Sequence, residues 1–201
     1  MKRIVTIFTL LLVMMNLSCQ QQKQEAVNPL LTEWNTPYGV PPFDQIELEH
    51  YMPAFEQAMA AHVAEIEAIT ANQEEPTFEN TILKFDDAGR LLEQVSLIFG
   101  MLSAADTNPE MQQIEAEMMP LLAAHSDRIM LNEKLFARVR AVHDQLPQAG
   151  LNKKQERLVK KIYTEFVRSG ALLEGEKKER LKAINEELST VSVEYARHLL
   201  A

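Results

Sequence analysis

Two acid–histidine pairs have the spacing that places both side chains on one side of a helix, Glu47-x-x-His50 and His62-x-x-Glu65. A di-metal helical bundle combines two Glu-x-x-His pairs with carboxylates from two further helices. Only Glu47 and His50 have that order here, and they precede the first helical pattern. The stretch that contains them, FDQIELEHYMPAFEQAM (residues 43–59), could be a metal site, an interaction surface or the start of a longer helix. We expect the last of these, with no metal ligand set.

The remaining histidines give no sign of catalysis. His62 and His125 recur on apolar stripes, which predicts hydrogen-bonded core histidines, and His143 and His198 have no partner at a known catalytic spacing. The sequence contains no H-E-x-x-H, no G-x-S-x-G and no glycine-rich phosphate loop. The residues by themselves therefore predict no catalytic residue, and they leave the substrate-binding residues unknown.

Four methionines could either pack in the core or form an adaptable binding surface. Most of them lie on or beside apolar stripes, which favours core packing. They are Met101, Met111, Met118 and Met119.

The N-terminus has the features of an export signal. A basic start (residues 2–3) precedes an apolar run at residues 4–15, which is shorter than the roughly 20 residues that span a bilayer. A basic start and a short apolar core are typical of a signal peptide, predicted here over residues 1–18.

The only cysteine follows this run directly. Ser18-Cys19 at the end of the apolar segment resembles a bacterial lipoprotein signal, although Asn16 replaces the usual apolar residue. The resemblance implies lipidation of Cys19 and anchoring to the cell envelope, facing the periplasm or the cell surface. Residues 19–27 are polar and aperiodic, and we interpret them as a tether. A single cysteine excludes an internal disulfide.

The composition favours packed helices. Apolar residues make up 46% of the 201 residues, aromatic residues 6%, and there are 6 glycines. The net charge of −9 disfavours nucleic acid as a partner. We therefore predict an all-α fold.

The chain divides into an arm and a helical region. Residues 28–48 are rich in proline and turn formers and predict an irregular arm, while residues 49–201 carry a helical period throughout. One continuous helix is predicted from Phe78 to Ala105, with Gly89 at a close approach to another helix. The last helix carries an apolar stripe to its end: Leu181, Ile184, Leu188, Val191, Tyr195 and Leu199.

Five strings, in order, carry a resemblance to a known family. They are PPFDQIELEHYMPAFEQAM, PTFENTI, LSAADTNPEMQQIEAEMMPLLAAHSDRIMLNEKLF, LVKKIYTEFVRSGALL and KKERLKAINEELSTVS. Together they resemble the N-terminal helical part of the thimet oligopeptidase and peptidyl-dipeptidase family of zinc metallopeptidases. The lead NPLLTEWNTPYGVPPFDQI (residues 28–46) is most similar to the peptidyl-dipeptidase branch.

The resemblance implies elongated antiparallel helices that form the N-terminal cap half of a channel-type peptidase. It also implies zinc and short peptide substrates for the whole enzyme, but the family's zinc motif has no counterpart here, so no catalytic residue is carried over. We interpret the chain as a fragment that ends within a helix, is inactive alone and has its catalytic half missing. The alternative is a stand-alone helical lipoprotein that binds a protein partner.

Overall fold

The computed structural model describes residues 27–200, apart from the side chains of Arg197, Leu199 and Leu200. Residues 27–200 contain helices and connecting turns but no strand, which confirms the all-α prediction. The helices are α1 (Tyr51–Ala71), α2 (Lys84–Asp87), α3 (Arg90–Ala105), α4 (Pro109–Met130), α5 (Glu133–Asp144), α6 (Lys153–Arg168) and α7 (Gly175–Leu200). None of these described helices combines the length and the apolar character needed to cross a bilayer.

Asparagine side chains begin three of the helices. The side chains of Asn108, Asn132 and Asn152 accept hydrogen bonds from backbone N–H groups in the first turns of α4, α5 and α6, at 2.8–3.1 Å. The first N–H groups of a helix have no partner within the helix, so each cap satisfies a donor that would otherwise need water. The sequence alone predicts these three starts, because an asparagine directly precedes each helical period, and the structure confirms them.

The predicted continuous helix from Phe78 to Ala105 is wrong. A π-helical turn (Phe78–Leu83) leads into α2, which ends at Asp87, and Ala88 is extended with ψ of 150°. Gly89 then adopts a left-handed conformation, with φ of 78°, before α3 begins. The predicted close approach is confirmed, because an ideal Cβ on Gly89 would lie 2.9 Å from Cε1 of His62 in α1. Glycine is the residue that tolerates both the angle and the contact.

The N-terminal arm consists of short 3₁₀ turns, beginning with Pro29–Leu31. Leu30 is fully buried against α1 and α3, and its carbonyl accepts a hydrogen bond from Gln94 at 3.3 Å. The indole N–H of Trp34 donates to the carbonyl of Pro29 at 2.8 Å. The arm is therefore joined to the helices by apolar packing and by hydrogen bonds.

The core has two clusters of buried side chains, and α1 contributes to both. The first half of α1 packs with the arm, α3 and α4 around Phe55 and Phe99. Its second half packs with the π-helical turn, α5 and α6 around Phe136 and Phe166. Helix α1 therefore connects the two halves of the molecule.

Helix α7 lies antiparallel to α4. Lys178 contacts Glu133 just beyond the end of α4, Asn185 contacts Asp127, and Val193 lies beside Met118 at a groove further back along α4. The two helices therefore run in opposite directions along their contact.

Candidate functional site

Glu47 and His50 do not converge as ligands. The backbone N–H of Glu47 donates to Nδ1 of His50 at 2.9 Å, and the Glu47 side chain accepts from the backbone N–H of His50. This reciprocal arrangement is a capping box, in which each side chain satisfies a backbone donor at a helix start. The pair stabilises the 3₁₀ turn Leu48–His50 that leads into α1. The stretch at residues 43–59 is therefore the start of a longer helix, as predicted.

His62 and Glu65 also serve different partners. Nδ1 of His62 lies 3.0 Å from Nε2 of His125 in α4, and the ring centroids are 5.0 Å apart. The Glu65 carboxylate instead accepts a hydrogen bond from the backbone N–H of Gly89 at 2.7 Å. A single turn of α1 thus contacts both α4 and the break between α2 and α3. The two partly buried histidines are hydrogen-bonded, as predicted from their places on apolar stripes.

Burial of the histidine pair disfavours its protonation. Burial lowers the pKa of His62, against an opposing effect of Glu65. Burial also lowers the pKa of His125, and the positive charges of His62 and Arg128 lower it further. A hydrogen bond between two imidazoles needs an N–H group on one ring and an unprotonated nitrogen on the other. A lowered pKa favours the unprotonated nitrogen, so it is consistent with the hydrogen bond between the two rings.

The described residues do not fit a catalytic zinc site. Such a site takes three protein ligands with one position open for water. Across residues 27–200, no group of three or more histidine, cysteine, aspartate or glutamate side chains is placed to hold a metal ion. The two paired imidazoles fall short of that number, and they already bind each other.

The predicted apolar stripe of α7 is largely exposed. The exposed fractions are 42% for Ile184, 60% for Leu188, 51% for Val191 and 65% for Tyr195. We call these four residues the exposed apolar face of α7. Leu181 is half-buried, and Leu199 lies outside the described side chains. A contiguous apolar surface of this kind is typical of a place where another molecule or domain packs.

Helix α7 attaches to the body of the molecule through a different and mostly polar side. The Lys178 ammonium is buried and donates to Glu133 at 2.8 Å, while the Asn185 amide donates to Asp127 at 2.7 Å. Val193 is the buried apolar residue on this side. Lys178 and Asn185 were not predicted as contact residues, because their only sequence signal is the helical spacing of polar residues, which is also typical of an exposed face.

The two carboxylates that bind α7, Glu133 and Asp127, differ in their exposure to solvent. The hydrogen bond from Lys178, together with its positive charge, lowers the pKa of exposed Glu133. Burial raises the pKa of Asp127, although the Asn185 hydrogen bond and the positive charge of Lys182 oppose that effect. Hydrogen bonds and ion pairs therefore position α7 on α4, and its apolar stripe contributes little to that contact.

The four methionines differ in their surroundings. Met111 and Met118 are buried, at 5% and 1% exposure, which confirms core packing for these two. Met101 is 53% exposed, so core packing is wrong for that residue. Met119 lines a groove of about 400 Å³ between α3, α4 and the end of α7, with Phe99 and Val193 among the other lining residues.

The predicted lipidation site, Cys19, lies outside the described residues. So do the predicted signal peptide at residues 1–18 and all of the predicted tether except Val27. Each of them stays a prediction.

The sequence of this chain is similar to the sequences of two kinds of peptidase, dipeptidyl carboxypeptidase and oligopeptidase A. It is 41% identical to dipeptidyl carboxypeptidase of Escherichia coli over 175 residues, and 42% identical to that of Salmonella typhimurium over 176 residues. These alignments cover 87% and 88% of this chain, but only 26% of each relative. Oligopeptidase A of Escherichia coli is 30% identical over 86% of this chain and 25% of that protein. No family model matches the sequence.

The resemblance seen in the five strings is thus confirmed at the level of named relatives. Identity is greater to the dipeptidyl carboxypeptidases than to oligopeptidase A, in agreement with the branch indicated by the lead sequence. The chain spans about a quarter of the length of the curated relatives that it matches.

Proposed function

We propose that this chain is the N-terminal helical part of a zinc metallopeptidase that hydrolyses short peptides and releases dipeptides from their carboxyl ends. The observation that carries the proposal is the 41% identity to a dipeptidyl carboxypeptidase over 87% of the chain. The all-α fold agrees with the helical cap that the resemblance implies. In this proposal the chain supplies structure and one wall of a peptide channel.

Zinc and the catalytic residues belong to the rest of the enzyme. The described residues hold no suitable ligand group, and the sequence has no H-E-x-x-H. A catalytic zinc lowers the pKa of its bound water, which lets that water attack a peptide carbonyl. The chain by itself should therefore bind no catalytic zinc and hydrolyse no peptide.

The proposal is tested with two proteins. Purified chain 1–201 should show no peptidase activity, with or without added zinc. A full-length Escherichia coli dipeptidyl carboxypeptidase whose matching segment is replaced by residues 27–201 of this chain should release dipeptides in a zinc-dependent manner. Zinc-dependent activity of the chain alone would contradict the proposal, as would a folded but inactive chimera.

We further propose export to the bacterial cell envelope and a lipid anchor on Cys19. The support is the apolar run of residues 4–15 that ends at Ser18-Cys19. Two or more acyl chains hold a protein at a membrane far more firmly than one. Mass spectrometry of the mature N-terminus in the native host tests this, and an unmodified start at any other residue would refute it.

The exposed apolar face of α7 favours a second candidate function, a helical lipoprotein that binds a protein partner. Without the rest of a peptidase, that face would be free to bind another protein. The DNA that follows codon 201 distinguishes the two candidates. An open frame that leads to an H-E-x-x-H motif supports the peptidase, and a stop codon followed by a terminator supports the binding protein.

A further inference from the structure

Helix α6 carries a concentrated set of positive charges on one side. Its buried side chains, Val159, Ile162 and Phe166, pack in the core. On the opposite side, at 3.6 residues per turn, the exposed cations of the helix fall within roughly a third of its circumference. We call these six residues the basic face: Lys153, Lys154, Arg157, Lys160, Lys161 and Arg168.

The acidic residues of α6 lie at the two edges of the basic face. Glu156 pairs with Lys160 at 3.4 Å, and Glu165 pairs with Lys161 at 3.6 Å. Within residues 27–200, the other four cations of the face form no ion pair. The uncharged residue at the centre of the face is Thr164, which is also exposed. The basic face therefore keeps a net positive charge.

This positive charge is set apart from the rest of the chain. Residues 133–168, which contain α5, α6 and their connection, hold nine basic and four acidic residues, a net charge of +5. The whole chain has a net charge of −9, so the remaining residues together carry −14. Salt at about 0.1 M screens exposed charges over about 10 Å, which is the diameter of one helix. An anionic surface that meets the basic face is therefore attracted by it more than it is repelled by distant carboxylates.

The proposed lipid anchor would hold the protein close to such a surface. Cys19 and Asn28 are nine residues apart, which span at most ~30 Å. The Asn28 amide donates to the carbonyl of His50 at 2.8 Å, so the anchored end lies at the start of α1. Helix α6 packs on the second half of α1, whose 21 residues extend over roughly 31 Å. The anchor and the basic face therefore lie at opposite ends of α1.

We propose that the basic face binds the anionic headgroups of the membrane that holds the anchor, so that the molecule contacts the bilayer near both ends of α1. Clusters of about four to eight lysines and arginines on an amphipathic helix are typical of binding to anionic lipids. The apolar side of α6 is buried in the core, so the contact is electrostatic and does not insert into the bilayer. The inference rests on the proposed anchor for its location, but the affinity of the face for anionic lipid does not need the anchor.

The first experiment measures binding to vesicles without the anchor. The chain is made without residues 1–18, whose apolar run would itself bind lipid, and with Cys19→Ser, so that no acyl chain is attached. Binding is measured by co-sedimentation with vesicles of phosphatidylcholine alone and with vesicles of phosphatidylcholine and phosphatidylglycerol in equal amounts. The mixed vesicles should bind the chain at least about tenfold more tightly at low salt, and added salt should remove the difference. Equal binding to the two kinds of vesicle would overturn the proposal.

Matched charge removals locate the binding on α6. Lys154→Gln/Arg157→Gln removes two exposed cations from the basic face, and Lys177→Gln/Arg180→Gln removes two exposed cations from α7. The first variant should bind the mixed vesicles about tenfold more weakly than the parent, and the second should bind to within about twofold of the parent. Both should keep the circular dichroism and the urea midpoint of the parent, because exposed substitutions change stability little. Equal losses in the two variants would refute binding through the basic face.

The second experiment asks which side of the molecule faces the lipid. Thr164→Cys, introduced into the same chain with Cys19→Ser, places a fluorescent label within the basic face and keeps all of its charges. Ala105→Cys is the control, because Ala105 is exposed at the end of α3 and precedes Asp106. On mixed vesicles whose headgroups carry a quencher, the label at 164 should lose most of its fluorescence and the label at 105 should keep most of it. Equal quenching at the two positions would contradict the proposed orientation.

The outcomes separate this inference from the proposed anchor. A lipidated Cys19 in the native host, with no preference of the chain for anionic vesicles, would refute the inference alone. An unmodified Cys19, with binding that depends on the basic face, would refute the anchor and leave the face as a lipid-binding surface. Competition by inorganic phosphate well beyond that of chloride at equal ionic strength would assign the face to free phosphate instead. Tighter binding to DNA than to mixed vesicles would assign it to nucleic acid and overturn the proposal.

Discussion

At the scale of single residues, Gly89 and the His62–His125 pair together form the junction of three helices. The Gly89 backbone N–H bonds the Glu65 carboxylate, and the imidazole of His62 fills the space where a Gly89 side chain would be. His62 in turn bonds His125 on α4. A change at any of these positions therefore acts on α1, α3 and α4 at once.

Gly89→Ala should destabilise the chain by about 2–5 kcal/mol. Left-handed backbone costs a residue with a Cβ about 1–2 kcal/mol, and overpacking against a fixed ring adds about 1–3 kcal/mol. Gly100→Ala is the control, because Gly100 lies within α3 and its added Cβ would meet no atom within 4 Å. This control should raise the free energy of unfolding by up to about 1 kcal/mol. Urea unfolding measures both, and equal effects would contradict the role given to Gly89.

The histidine pair should make the stability of the chain fall as the pH drops below about 6.5. The folded state lowers the pKa of both histidines, so the unfolded state binds more protons in this range. Stability therefore rises with pH through the window between the folded and the unfolded pKa values. Above the unfolded value, both states hold neutral imidazoles and the effect of the pair is constant.

Thermal unfolding between pH 5 and pH 8 measures this dependence. The double variant His62→Gln/His125→Gln should show a flatter profile than the parent, although Glu65, Glu93 and Arg128 near the pair stay in place. His198→Gln, an exposed change on α7, should keep the slope of the parent. An unchanged slope in the double variant would show that the pair does not titrate on unfolding.

At the scale of helices, the caps and the exposed stripe differ in what stabilises them. The caps act within a few residues, as in the capping box of Glu47 and His50. The stripe on α7 depends on a partner outside the described residues, and burying a large apolar side chain contributes roughly 1.5–3 kcal/mol. An isolated chain with a half-exposed stripe therefore lacks part of the stabilisation that a covered α7 would have.

His50→Ala should lower the free energy of unfolding by roughly 0.5–1 kcal/mol, the value of one side-chain hydrogen bond at an exposed site. Added zinc should leave the unfolding midpoint of the parent chain unchanged, because His50 serves as a cap. His198→Ala is the comparison at an exposed histidine without a described hydrogen bond to a helix start. A zinc-dependent rise in midpoint that His50→Ala removes would restore the metal-site alternative.

At the scale of the whole molecule, α1 makes one unfolding unit out of two cores. One cluster surrounds Phe55 and the arm, the other surrounds Phe166, and α1 has buried side chains in both. Loss of either cluster would leave half of α1 unpacked, so the clusters should unfold together.

Phe166→Ala should lower the free energy of unfolding by about 3–5 kcal/mol, as expected for an aromatic ring removed from a packed core. Phe166 is fully buried and lies 5.3 Å from Phe85 between ring centroids. The fluorescence of Trp34, the only tryptophan, reports on the other cluster. Its midpoint should shift together with the far-ultraviolet circular dichroism midpoint. A shift in circular dichroism alone would show two independent units.

The sequence by itself determined the helical class, the starts of α4, α5 and α6 and the resemblance to a peptidase, because these depend on local features. Asn108 and Asn132 cap within three residues, and the period of apolar residues repeats within each helix. Helix propensity and capping are properties of neighbours in the chain, so they can be predicted before the fold is known.

Only the tertiary structure decided how those helices are used. At the break, Gly89 contacts the ring of His62 and the carboxylate of Glu65, which are 27 and 24 residues away in the chain. Helix α7 packs through Lys178 and Asn185 because their partners, Glu133 at the start of α5 and Asp127 in α4, lie on one side of it, which leaves its apolar stripe in solvent. An apolar period shows that a face will be buried, but the partner that buries it is set by contacts between distant parts of the chain or beyond it.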